Sequence, residues 1–218
     1  MKIKIVYFIF LVPNRWESIV DEQLSFLKKL DLFNISDEIV IACVGNKDEF
    51  NKLSNFISKN YPKIEIKEYS EQNHFEYLGF KTLYEIADDD SIILYFHTKG
   101  VVSGQNNNTN NLLRPILFTN IIENYSKYIL ELKNNQVDIG TLFPHNRSFA
   151  FYNFFWIRGD YVKKYLPLPI PSKNRFVWEE WIGNPYSKKE NIKTYSSLLG
   201  YNKITDKNQL YFLRNSFL

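Results

Sequence analysis

Residues Ser91–Gly100, SIILYFHTKG, constrain the fold more than any other stretch of the 218-residue chain. Ser91 to Phe96 is a continuous apolar, β-branched and aromatic run, and polarity then switches at once to His97, Thr98, Lys99 and Gly100. Such a run, ended by a turn signal, reads as a strand covered on both faces of a parallel sheet, because a strand with one wet face alternates apolar and polar residues. In open α/β sheets, ligands bind beyond the carboxyl ends of the strands. A histidine, a hydroxyl, a cation and a glycine at that edge offer donors, positive charge and one point of close backbone approach, which suits an anionic ligand. The tetrapeptide alone fits equally well a strand merely capped as it enters solvent.

Three strand–helix alternations precede Ser91. A strand over Ile3–Val12 ends at Pro13, and Asn14 with Glu17 has capping-box spacing ahead of a helix whose stripe is Trp16, Ile19, Val20, Gln23, Leu24, Leu27 and Leu30. Glu38–Val44 reads as a second strand, and Asn46 with Glu49 repeats the cap before a helix carrying Phe50, Leu53, Phe56 and Ile57. A short strand, Ile64–Ile66, and a helix over about Phe75–Ala87 complete the series. The alternation predicts an α/β fold with a mostly parallel, Rossmann-like sheet flanked by helices. Neither GxGxxG nor GxxxxGK[ST] occurs, which argues against a dinucleotide fingerprint, a P-loop and a methyltransferase-type glycine loop.

Beyond Gly100 the pattern is less regular. A polar loop, Val101–Asn111, leads to one long helix over Leu112–Lys133 and a strand over Val137–Phe143. Pro144-His145-Asn146-Arg147, the aromatic run Phe149–Ile157, an extended link through Pro167, Pro169 and Pro171, and a tail with a weak strand signal at Ile192–Leu199 follow. With no internal repeat or linker, residues 1–218 read as one domain with an irregular C-terminal half.

Composition narrows the class. Hydrophobic residues at 44% and aromatics at 17% exclude a disordered chain. A net charge of +3, with Lys and Arg scattered, argues against a nucleic-acid binder. The single cysteine, Cys43, lies in the apolar run Ile39–Val44; it excludes an internal disulfide and suits a buried residue in a reducing compartment. The apolar run Ile5–Val12 is too short to span a bilayer, and Pro13–Glu17 is the wrong flank for a signal peptide. A cytoplasmic protein without a transmembrane segment is expected.

Several polar groups are candidates for chemistry. Asp88-Asp89-Asp90 matches the DxD string that holds a divalent metal on a diphosphate, but it precedes the central strand and therefore reads as turn punctuation. His97, Thr98, Lys99 and Gly100 do lie at the ligand edge, where Lys99 can neutralise a diphosphate as a compact point charge. His74, His97 and His145 show no metal-ligand spacing, so no metal ligands are assigned; Mn²⁺ or Mg²⁺ is left open without being indicated. Glu179 and Glu180 fit either a partly desolvated general base or the solvated face of a short helix. Phe154, Phe155 and Trp156 fit either a stacking platform for a sugar ring or core packing. Arg158, Asp160 and Arg175 flank that aromatic cluster.

In order along the chain, Trp16-Glu17-Ser18-Ile19-Val20-Asp21-Glu22-Gln23-Leu24, Tyr95-Phe96-His97-Thr98-Lys99-Gly100, Asn153-Phe154-Phe155-Trp156, and Arg175 with Glu179, Trp181, Ile182 and Gly183 resemble a pattern. It is that of bacterial and viral polysaccharide-cluster glycosyltransferases of GT-A-like fold. The resemblance spans about residues 1–183, with Leu113 and Phe155 standing where that family has Trp. It implies sugar transfer from a nucleotide-sugar to a glycan, lipid-linked or other hydroxyl acceptor in polysaccharide or glycoconjugate synthesis, with peripheral membrane contact open. The domain is read as a nucleotide-sugar half, 1–111, and an acceptor half, 112–218. It puts His97, Thr98, Lys99, Gly100 and Arg114 at the donor, with Lys99 also catalytic. Glu179 becomes the base, and Phe155, Trp156, Arg158, Arg175 and Glu180 line the acceptor side. The alternative from another class is a non-catalytic glycan- or nucleotide-binding module on the same shell.

Overall fold

The computed structural model describes residues 1–101, 108–134, 136–143 and 147–197. Seven strands form one sheet in the order β3-β2-β1-β4-β6-β5-β7: β1 (Lys2–Leu11), β2 (Glu38–Gly45), β3 (Glu65–Ser70), β4 (Ser91–His97), β5 (Ile139–Thr141), β6 (Phe155–Arg158) and β7 (Thr194–Tyr195). The first four run parallel, β6 is antiparallel to β4 and to β5, and β7 is parallel to β5. The mostly parallel α/β sheet expected from the sequence is therefore present, with β4 in mid-sheet.

The continuous apolar runs have a simple cause. Odd residues of β1 (Ile3, Ile5, Tyr7, Ile9, Leu11) enter one core, and Val6 and Phe8 enter the other. In β4, Ile92, Leu94 and Phe96 face the first core, while Ile93 and Tyr95 face the second. The first core is covered by α1 (Trp16–Lys29), α2 (Leu32–Ile35), α3 (Lys47–Asn60) and α6 (Tyr125–Lys133). The second is covered by α4 (Tyr77–Ile86), α7 (Gly159–Tyr165) and α8 (Val177–Glu180). Each fully buried Ile, Leu or Phe contributes about 1.5–3 kcal/mol through area removed from water. Lys4, which interrupts the apolar pattern, donates to the Ile86 carbonyl at 2.6 Å and pairs with Asp88 at 2.8 Å, so its charge is matched.

Local expectations fared unevenly. Asn46 caps α3 as its spacing predicts, its Oδ1 accepting from the Glu49 N–H at 2.9 Å. Asn14 does not cap α1: it adopts a left-handed φ of 61°, and the cap position falls to Arg15 without a side-chain bond. The expected single helix over Leu112–Lys133 is broken into α5 (Asn108–Leu117, containing Pro115), a π-helical turn (Phe118–Glu123) and α6. Proline lacks the N–H that a continuous ladder needs. The wider π turn leaves the Ile121 carbonyl to accept from Trp156 Nε1 at 3.0 Å. The strand expected over Val137–Phe143 shortens to β5, while β3 is longer than expected.

Candidate functional site

The carboxyl end of β4 is fixed to its neighbour before it turns. The Thr98 N–H donates to the Phe8 carbonyl at 3.1 Å, and Thr98 Oγ1 accepts from the Phe10 N–H at 3.0 Å. Thr98 is 1% exposed and acts as a staple between β4 and β1. Gly100 then turns the chain at φ 87°, a conformation that costs a side-chain-bearing residue about 1–2 kcal/mol. Arg114 braces the turn from α5, donating from Nη1 to the Lys99 carbonyl at 3.2 Å and pairing through Nη2 with Glu22 at 3.0 Å. Both predicted donor contacts thus have internal occupations: Thr98 and Arg114 hold the loop's shape.

His97 is also committed inward. It is 6% exposed, and its Nε2 lies 3.0 Å from the Tyr152 carbonyl. Burial, reinforced by the Lys99 charge, pushes its pKa down to about 3, so the ring is neutral at physiological pH. With Nε2–H donating to that carbonyl, Nδ1 presents a lone pair. The expectation that His97 donates to a phosphate is therefore corrected.

Tyr152 is where the site converges. Its carbonyl receives His97, its N–H donates to Glu179 Oε1 at 3.3 Å, and its ring lies 4.6 Å beneath Lys99 Nζ. It holds φ 68°, and the adjacent Asn153 holds φ 51°, two successive non-glycine residues in the left-handed region. Strain of this kind persists only where surrounding contacts over-determine it, and it clusters at functional sites. Here those contacts come from β4 and α8.

The electrostatics single out two carboxyls. Burial raises the pKa of Glu179, opposed by the Tyr152 N–H and by the charges of Lys99 and Arg175. Glu76, just before α4, is raised to about 7, again chiefly by burial, with Lys99 and Arg175 opposing and Glu179 adding to the rise. Glu76, Glu179, Lys99 and Arg175 thus share one electrostatic neighbourhood at the carboxyl edge of the sheet. Around it, the buried atoms Tyr95 Oη, His97 Nδ1, Asn153 Oδ1 and Trp178 Nε1 have no hydrogen-bond partner among the described residues. Each such group costs about 1–3 kcal/mol.

Not every predicted residue belongs here. Phe155 and Trp156 are fully buried: Phe155 stacks on Tyr95 with ring centroids 5.2 Å apart, and Trp156 is tied to the π turn. They are core residues, and the sugar platform expected of them is corrected. Arg158 pairs with Ile92 in the β6–β4 ladder, at the opposite end of β4 from His97, and its guanidinium is held by Asp160. Because β6 runs antiparallel, its last residue cannot reach the site. Arg175 is exposed and near, and Glu180 flanks Glu179. Asp88 lies at the far edge, engaged by Lys4, as its position before the strand implied. His145 lies outside the described residues, as do most of Val101–Asn111 and the tail.

Two site residues carried no signal strong enough to read. Glu76 looked like part of a helix start, although its place after the third strand of a parallel sheet puts it at the ligand edge. Tyr152 was hidden in an aromatic run, where only the Tyr-Asn dipeptide hinted at a left-handed turn. Among the described residues, no group of three or more His, Cys, Asp or Glu is arranged to hold a metal ion, and no helix is long and apolar enough to cross a membrane.

The fold belongs to the GT-A-like, Rossmann-related class. The chain is similar over its whole length (100%) to the solved structure of S. aureus TarS 1–349, with a TM-score of 0.51, 12% identity and 64% of that chain covered. It is also aligned with a 4-diphosphocytidyl-2C-methyl-D-erythritol synthase at a TM-score of 0.49 and 9% identity, covering 99% of this chain and 98% of that one. For the corresponding synthase of Anaerococcus prevotii the TM-score is 0.46 with 13% identity, covering 97% and 95%. At such identities the likeness concerns fold alone. No family model matches the chain. A curated relative, the Integrator complex subunit 2 homolog of Dictyostelium discoideum, is 33% identical over 110 residues. That match takes in 50% of this chain and 8% of that protein, so the chain spans under a tenth of this curated relative's length.

Proposed function

We propose that the chain is a glycosyltransferase that moves a sugar from a nucleotide-sugar donor to a hydroxyl of a glycan or lipid-linked acceptor. The observation that carries the reading is the convergence of His97, Lys99 and Glu179 on the strained Tyr152, at the sheet edge where α/β folds bind ligands. In this reading Lys99 balances the charge that builds on the leaving diphosphate, an electrostatic contribution made before the reaction begins. Glu179 takes the acceptor proton as the new glycosidic bond forms and the bond from the anomeric carbon to phosphate breaks. Glu76, its carboxyl raised to about 7, donates a hydrogen bond to a sugar hydroxyl in its protonated form. Neutral His97 fixes the Tyr152 carbonyl and through it the position of Glu179. The 1–111 half then supplies the donor side through Glu76 and Lys99. The 112–218 half supplies the acceptor side through Tyr152, Arg175 and Glu179.

A thermal-shift screen against UDP, GDP, dTDP and CMP and their sugar conjugates tests this reading, because a ligand that binds only the folded state raises its stability. One nucleotide class should raise the melting temperature, and Lys99→Ala should abolish that rise. Glu179→Gln should keep the rise and lose sugar transfer to an acceptor. Absence of any nucleotide effect would sink the donor-site reading. Nucleotide binding without transfer in the unaltered protein would favour the binding-module alternative.

A further inference from the structure

Three of the large apolar side chains exposed among the described residues fall within nine consecutive positions. Leu168 is 60%, Ile170 72% and Phe176 58% exposed, whereas Met1, Ile35 and Leu130 are scattered. Pro169 is buried between Leu168 and Ile170, so this alternating extended stretch turns both aliphatic side chains outward. Isolated surface apolar residues need no explanation, but three gathered on one segment do.

The same segment is strongly cationic. Between Asp160 and Glu179 the chain carries Lys163, Lys164, Lys173 and Arg175 and no carboxylate, although Lys and Arg outnumber Asp and Glu only 27 to 24 overall. All four cations are exposed, and none forms a salt bridge among the described residues. Lys163 Nζ lies over Tyr84 at 4.5 Å and Lys164 Nζ over Tyr165 at 5.1 Å, contacts that orient the charges without neutralising them. Pro167, Pro169 and Pro171 remove three backbone donors and exclude a helix over this stretch. Apolar tips that need no backbone pairing, set between cations, match a bilayer interface bearing anionic headgroups.

We propose that residues 163–176 form a membrane-docking ridge that inserts Leu168, Ile170 and Phe176 at the surface of an anionic bilayer while the flanking cations engage its headgroups. This inference does not depend on sugar transfer. Arg175, whose charge acts on Glu179, lies within the ridge, so docking would hold the carboxyl edge of the sheet close to the lipid surface.

The experiment is co-sedimentation of the full chain with phosphatidylcholine vesicles, with and without about 30% phosphatidylglycerol, at low and high salt. Binding to the anionic vesicles should exceed binding to the neutral ones at least about tenfold and should fall with salt. The triple variant Leu168→Ser, Ile170→Ser and Phe176→Ser should lose at least about tenfold in binding with an unchanged melting temperature, since all three side chains are exposed. Lys163→Gln with Lys164→Gln and Lys173→Gln should remove the preference for anionic lipid. Equal binding to both vesicles, no binding to either, or undiminished binding by the apolar triple variant overturns the proposal. A dimer that the apolar triple variant dissociates, without vesicle binding by the parent chain, would reassign the ridge to a protein interface and equally overturn it. Because vesicle binding needs neither nucleotide nor turnover, its failure leaves the transferase reading untouched, and the converse holds.

Discussion

Glu76 ties the candidate site to a quantity measurable without any substrate. Its carboxyl is raised from 4.5 to about 7, with burial the largest cause, so the folded state holds a proton that the unfolded chain releases. Stability therefore falls as pH rises from about 4.5 to about 7 and is flat above that range, the opposite of the usual salt-bridged carboxylate. At about 1.36 kcal/mol per factor of ten, ionising this group costs folding at most about 3 kcal/mol; partial solvent access reduces the expectation to about 1–3 kcal/mol. Glu76→Gln keeps the shape and removes the charge. The variant should match the parent near pH 4.5 and exceed it by about 1–3 kcal/mol near pH 8. Urea unfolding read by tryptophan fluorescence is a suitable assay, because Trp16, Trp156, Trp178 and Trp181 are all buried. Glu179 gives a slope of the same sign that persists in the variant, so the informative quantity is the difference between the two proteins. A difference independent of pH, or a parent more stable than the variant at pH 8, would falsify the assignment of Glu76 to a desolvated position.

Further outcomes follow from the packing. Gly79→Ala should destabilise by about 1–3 kcal/mol despite alanine's better helix propensity, since its Cβ would lie 2.5 Å from Tyr95 Oη and 2.9 Å from Phe8 Cβ; chemical denaturation reads this directly. Trp156→Phe should cost about 2–4 kcal/mol by opening a cavity and stranding the Ile121 carbonyl, with the cost appearing in the same assay. Cys43, buried and with its thiol pushed up to about 12, should resist iodoacetamide in the native protein and react at the rate of global unfolding, which mass spectrometry can follow. Arg114→Ala should reduce any nucleotide-induced thermal shift more than Glu22→Gln does, because only the arginine also braces the Lys99 carbonyl.

Much of the architecture could be read from the chain because β1, β2 and β4 are covered on both faces, and that demand writes itself into continuous apolar runs. The site was legible where it depended on those runs. Lys99 and Gly100 follow from where β4 stops, and Asp88 is placed away from the ligand edge by the same logic. Glu179, which the resemblance singled out as a base, feels the charge of Lys99. What could not be read was strand direction beyond β4. Reversing β6 carries Arg158 to the far edge and brings Tyr152, which precedes β6, to the near one, and no local pattern reports that reversal. Thr98, Arg114 and His97 have side chains chemically suited to a phosphate, yet each is committed to holding backbone, a distinction that only tertiary contacts make.

The central position of β1 has a consequence for synthesis in the cell. Its ten residues, KIKIVYFIFL, are almost wholly buried, and they pair with β2 along one edge and β4 along the other. On a ribosome, Leu11 is made well before His97 completes β4. At about 5–20 residues per second, β1 waits roughly 4–17 s for that second neighbour. During the interval it is a proline-free, β-prone, apolar segment with an open edge, the kind that joins identical segments on other nascent chains. Efficient production should therefore depend on chaperone cover at the exit tunnel, and the yield of soluble protein should respond to translation speed between residues 12 and 97 more than to speed anywhere later in the message.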